Sequence, residues 1–151
     1  MNLYTGSCLC GGVQFSIAAE FEPIQICHCG QCRKAQGTPI ATNSPVLSSA
    51  FHMTTGQELI TEFESSPGKK RCFCKVCGSP IYSYRESLPG VFRIRVGLIN
   101  EPILAQPEAH FHTGSKCNWW RIDDDLPQYI DSFSPAKDEK ESLVTQPGKT
   151  P

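Results

Sequence analysis

The chain lacks a long apolar run, an excess of charge of either sign, and any stretch that keeps helical periodicity. Each absence excludes something. With no run near the roughly 20 apolar residues of a membrane helix, no helical span is expected. Among 151 residues, 14 basic side chains stand against 15 acidic ones, for a formal net charge of −1. No overall field therefore gathers nucleic acid or an anionic membrane, and neither is expected as a partner. The start, MNLYTGSCLC, has no basic end, apolar stretch or small-residue cleavage site, so the expected location is cytoplasmic. No window reads as a convincing amphipathic helix; Cys29–Gln36 offers a turn or two.

Cysteine is what the chain has in quantity. Seven of its nine cysteines fall into tight clusters: Cys8 and Cys10 as C-x-C, Cys27, Cys29 and Cys32 as C-x-C-x-x-C, and Cys74 and Cys77 as C-x-x-C. Cys72 makes CFCKVC a repeat of the spacing in CHCGQC. Such spacings bring several sulfurs within reach of one ion, and the glycines beside them suit tight knuckle turns. Disulfides are the weaker explanation, because cytosolic thiols stay reduced and an odd count leaves one unpaired.

The remaining pattern is that of strands. Val13, Phe15 and Ile17 alternate with polar residues, as do Phe92, Ile94 and Val96 with Arg93 and Arg95. Further strands are expected at Ile24–His28, Pro39–Val46, Glu58–Phe63, Arg71–Cys74 and Ile81–Arg85. The fold class is mainly β with short helical turns. The length fits one domain, placed at 1–134. Residues 135–151, polar and Pro-bearing with almost nothing to bury, are expected to be a flexible tail.

Spacing alone leaves the division of the sulfurs open. Two pairs could close one four-sulfur site and leave the triplet with an open position, or Cys72 or a histidine could complete the triplet. The ordered motifs GSCLCGGVQFSI, CHCGQCRKAQG, KRCFCKVCGSPIY and AHFHTGSKCNWWRIDDDLPQY then bring a resemblance into view. From Tyr4 to Tyr129 the chain resembles the glutathione-dependent formaldehyde-activating enzyme (GFA) family, related to centromere protein V. The resemblance implies a β-tent (Mss4-like) fold and two zinc ions per chain. It implies a structural zinc on Cys8, Cys10, Cys74 and Cys77 and a catalytic zinc on Cys27, Cys29 and Cys32. Cys72 and Cys117 fall outside that pattern and read as buried thiols.

Other residues carry expectations of their own. Strand alternation points His28 away from the sulfurs, toward packing or a supporting hydrogen bond. His110 and His112 share a face in an alternating stretch; His110 is a candidate for lining a substrate pocket, with a surface pair as the rival reading. Arg33, just after the triplet, is a candidate partner for a substrate carboxylate. Trp119 and Trp120 are expected to divide between the core and a pocket wall, with Trp119 a substrate-binding candidate. Asp123–Asp125 reads as a turn cap rather than a calcium loop.

The activity implied is that of a zinc-dependent carbon–sulfur lyase on a thiol–aldehyde adduct, by resemblance S-(hydroxymethyl)glutathione, with a small thiol such as glutathione as partner. The alternatives are a non-catalytic, zinc-supported binding module for a protein or small thiol, and a redox or metal-storage role.

Overall fold

The computed structural model describes residues 3–132; the tail expected at 135–151 lies outside them. In chain order the first strands are β1 (Tyr4–Ser7), β2 (Gln14–Ile17), β3 (Ile24–Cys27), β4 (Ala41–Leu47) and β5 (Phe51–Thr55). They are followed by β6 (Ile60–Ser66), β7 (Lys69–Cys74), β8 (Pro80–Arg85), β9 (Val91–Arg95) and β10 (Pro107–Phe111). Among the described residues one α-helix, α1 (Gly30–Gln36), and four short 3₁₀ turns complete the secondary structure. The described residues divide into two compact units, 3–22 with 44–105 and 23–43 with 106–132.

The first unit holds an antiparallel sheet in the order β1-β2-β5 and the antiparallel run β6, β7, β8, β9. Its core gathers Val13, Phe15, Ile17, Phe51, Ile81 and Ile94, with the Phe15 and Phe51 rings stacked 5.0 Å apart. Phe15 and Ile17 face inward as their alternation predicts. The charged face of β9 is a departure: Arg95 is buried, its guanidinium donating to the Arg93 carbonyl at 3.3 Å.

The second unit is built on β3. Parallel β10 lies on one side of it, with Phe111 opposite Cys27, and the first residues of antiparallel β4 lie on the other, with Ala41 opposite Cys27. Helix α1 follows directly. Cys29 is its N-cap, accepting the Cys32 N–H at Sγ, and Gly37 closes it in the left-handed conformation.

Candidate metal centre

In the first unit the sulfurs sit in the turns of two hairpins. The β1–β2 turn carries Cys8 and Cys10, with the Gly11 N–H donating to the Cys8 carbonyl at 3.1 Å. The β7–β8 turn carries Cys74 and Cys77, with the Gly78 N–H donating to the Cys74 carbonyl at 2.8 Å. Gly11 and Gly78, each just after the second cysteine of its pair, have φ of 77° and 79°. A side chain is strained in that left-handed region, so glycine is what lets each knuckle curl its sulfurs inward. Ser79 ties the knuckles together by accepting the Leu9 N–H at 2.9 Å.

The four sulfurs of Cys8, Cys10, Cys74 and Cys77 lie within 4.8 Å of one another and could hold a metal ion. Their spacing tests the fit. A tetrahedral ion with metal–sulfur bonds of about 2.3 Å sets the sulfurs about 3.8 Å apart. The pairs Cys8–Cys10 and Cys10–Cys74 stand at 3.5 and 3.9 Å, so the donor set fits. The Ser79 hydroxyl, 3.3 Å from the Cys77 sulfur, together with backbone N–H groups, pulls that thiol down to about 5.

In the second unit Cys27, Cys29 and Cys32 form a second group within the same 4.8 Å, packed on Ala41, which is 0% exposed. Cys27 ends β3, Cys29 caps α1 and Cys32 lies in its first turn, so a strand end and a helix start present three sulfurs from six residues. The sulfurs of Cys29 and Cys32, followed by burial, push the Cys27 thiol well above its ordinary range. Three crowded thiols resist shedding their protons unless a cation joins them. Among the described residues, no histidine, carboxylate or further cysteine belongs to this group.

Cys72 belongs to neither group. It is 1% exposed, with its sulfur 3.9 Å from Glu62 Oε1, and burial pushes its thiol up to about 12. The ladder slips a register between Cys72 and Phe73, so the strand alternation that would aim Cys72 with Cys74 is broken there. The two look-alike clusters are thus used differently. Cys117 is buried as expected.

His28 turns away from the sulfurs, and its Nε2 lies 2.8 Å from His110 Nδ1. His110 Nε2 in turn meets both Asp124 oxygens, at 3.0 and 2.9 Å. A carboxylate can only accept, so His110 Nε2 carries the hydrogen and donates. Burial, then the neighbouring His110, lowers His28 to about 4, which keeps it neutral. With His28 Nε2–H donating to His110, the buried His28 Nδ1 has no hydrogen-bond partner among the described residues. Asp124 arrives because the His110 N–H donates to the Pro127 carbonyl at 2.8 Å and the Tyr129 N–H to the His110 carbonyl at 2.9 Å. The turn that precedes this bracket folds back over β10. Asp124 also caps the turn by accepting the Leu126 N–H at 3.0 Å, as the sequence implied.

Beside this chain is a cavity of about 550 Å³ with an apolar wall of Ile26, Ile40 and Ile122. Trp119 and Trp120 line it, as do His110, Asp124, Asp123 and Arg121. Two expectations are corrected here. Neither tryptophan serves the core; at 67% and 38% exposed, both belong to the cavity, because the loop that bears them runs outside the sheet. His112 does not share a face with His110. Its φ of 59° takes it out of β10 into a turn, where its carbonyl accepts the Ser115 N–H at 3.1 Å, and both histidines are buried rather than a surface pair. Arg33 lies on α1 and donates from Nη2 to the Ser115 carbonyl at 3.2 Å, fastening the helix to that turn. It is not among the cavity's lining residues. Asp124 and Ile26 went unseen as site residues, since contacts across 14 and more residues leave no local signal.

The described residues include no helix long and apolar enough to cross a membrane. The chain is 30% identical over 86 residues to an uncharacterised lyase of Schizosaccharomyces pombe; the match covers 54% of this chain and 58% of that protein. It thus spans little more than half the length of that relative. A crystal structure of a Rhodobacter sphaeroides protein superposes with a TM-score of 0.54 at 20% identity, covering 83% of this chain and 98% of the other, a likeness of fold. The mainly β architecture with short helical turns agrees with the β-tent expectation. Residues 3–115, which carry both sulfur groups, match the sequence profile of glutathione-dependent formaldehyde-activating enzyme, and the chain belongs to that family.

Proposed function

We propose that the protein is a carbon–sulfur lyase that makes and breaks the bond between a small thiol and an aldehyde, with S-(hydroxymethyl)glutathione as the adduct. The observation that carries the reading is the gathering of three sulfurs, Cys27, Cys29 and Cys32, without a fourth protein ligand among the described residues. A three-ligand set keeps a position for substrate, whereas the four-sulfur set is complete. In this reading each group holds one zinc, structural on Cys8, Cys10, Cys74 and Cys77 and catalytic on the triplet. Zinc held by the triplet supplies the acidification of a thiol whose ordinary pKa is near 8.5.

The chain's own residues set the stage. The Cys32 N–H donates to the Cys29 sulfur at 3.3 Å and fixes its direction. Ala41 packs beneath the sulfurs and keeps water from that side. The His28 N–H donates to the Phe111 carbonyl at 2.9 Å, pinning the knuckle's middle residue to β10. In the forward direction the thiolate sulfur attacks the aldehyde carbon and a C–S bond forms. The carbonyl π pair moves to oxygen, which takes up a proton from water. The reverse breaks the C–S bond and returns aldehyde and thiol.

The test follows exchange between glutathione, formaldehyde and their adduct by NMR, with the spontaneous rate subtracted. The wild-type protein is expected to raise the exchange rate and Cys29→Ser to leave it at the spontaneous value. A wild-type rate equal to buffer, or an unimpaired variant, overturns the reading.

A further inference from the structure

The cavity and the sulfur triplet lie on opposite faces of the β10-β3-β4 strands. Cys27 stands opposite Ala41 and Phe111, and the triplet packs on Ala41. Ile26 stands opposite His110, and both line the cavity together with Ile40, which precedes Ala41 and so points to the other face. None of the described cysteines lines the cavity. It is therefore a concave site separate from the sulfur triplet, of a volume usual for small ligands.

We propose that this cavity binds a small organic amine, with the ammonium group at Asp124 beside Trp119 and Trp120 and the apolar body against Ile26, Ile40 and Ile122. Three features set the ligand class. Asp124 is held by the His110 and Leu126 N–H groups, yet 46% of its side chain remains open. The carboxylate is thus oriented before any ligand arrives. The cation in the lining, Arg121, is 88% exposed and leans toward Asp123 at 3.7 Å, so it does not neutralise Asp124. The two tryptophans present large exposed rings, which gain by being covered and attract a cation through their π faces. An anion would meet Asp123 and Asp124 at close quarters, and a wholly apolar guest would desolvate a carboxylate without pairing it.

This inference does not depend on the thiol reading, and its test leaves the metal in place. The chain's two tryptophans are Trp119 and Trp120, so intrinsic tryptophan emission reports on this cavity without a label. The zinc-loaded protein is titrated at pH 8 with n-butylammonium, n-butanol and butyrate. The amine is still charged at that pH. The ammonium is expected to change the emission saturably, with butanol and butyrate at least tenfold weaker, as loss of one charge-assisted contact dictates. Asp124→Asn is expected to weaken the ammonium about tenfold and Arg121→Ala to leave it unweakened. Trp119→Ala, at an exposed position that leaves the core intact, is expected to weaken it too, with Trp120 as reporter. No saturable change with n-butylammonium, equal binding of butanol, preference for butyrate, or full affinity in both Asp124→Asn and Trp119→Ala overturns the proposal.

Discussion

Replacing Cys74 and replacing Cys29 remove the same atom from two sulfur groups, yet the fold is expected to respond to the two losses unequally. Cys74 is 0% exposed, and its sulfur meets that of Cys10, 64 residues away in sequence. A metal there would staple two distant hairpins. The triplet closes a loop of only five residues, from Cys27 to Cys32. Loop closure costs (3/2)RT ln n, so the longer staple is worth more by (3/2)RT ln(64/5), about 2 kcal/mol. At this chain length that corresponds to roughly 4–8 °C in melting temperature. Cys74→Ala is therefore expected to melt lower than Cys29→Ala by that margin, measured by calorimetry on zinc-loaded protein. Chelator should then lower wild-type stability far more than that of Cys74→Ala, whose long staple is already lost. Equal melting temperatures in the two variants, or a lower one in Cys29→Ala, would refute the reasoning.

Three further outcomes follow from single residues. Gly78→Ala places a Cβ in open space at φ 79°, so its cost is backbone strain alone, about 1–2 kcal/mol by denaturant unfolding, with Gly78→Asn losing less. Cys72, pushed up to about 12, stays a neutral thiol at pH 8 and should remain unalkylated in the native protein by mass spectrometry, reacting only after unfolding. The His110 N–H lowers the Asp124 pKa below 3.8, so its stabilising contribution is present above that value and is lost as pH falls through the depressed one. The melting-temperature gap between wild type and Asp124→Asn should hold from neutral pH to about 4 and close below it.

The sulfur groups were legible because metal ligation writes itself into short spacings, with Gly11 and Gly78 marking the turns. Strands β2 and β9 were legible by alternation, and α1 by its place after the knuckle. Strands β1 and β5 were not, and of β10 only the end showed, in the alternating stretch at His110, Phe111 and His112. β10 begins with Pro107 and Glu108 and its ladder slips a register at that point, which breaks the alternation that would have revealed the rest. The His28–His110–Asp124 chain joins residues 82 and 14 positions apart, so no local pattern foretold it. One of the two tryptophans was misplaced by the habit of assigning a large ring to a core. Here the loop that holds Asp124 against His110 carries both to a cavity wall instead.

The central claim is that a small thiol meets the ion held by Cys27, Cys29 and Cys32 through its sulfur. Replacing zinc with cobalt turns that contact into a visible sulfur-to-metal charge-transfer band, measured as glutathione is added. A glutathione analogue with serine in place of cysteine serves as the control. The account predicts a saturable change in the band with glutathione, none with the serine analogue, and none in Cys29→Ser. An unchanged band with glutathione, or an equal change with the serine analogue, would contradict it.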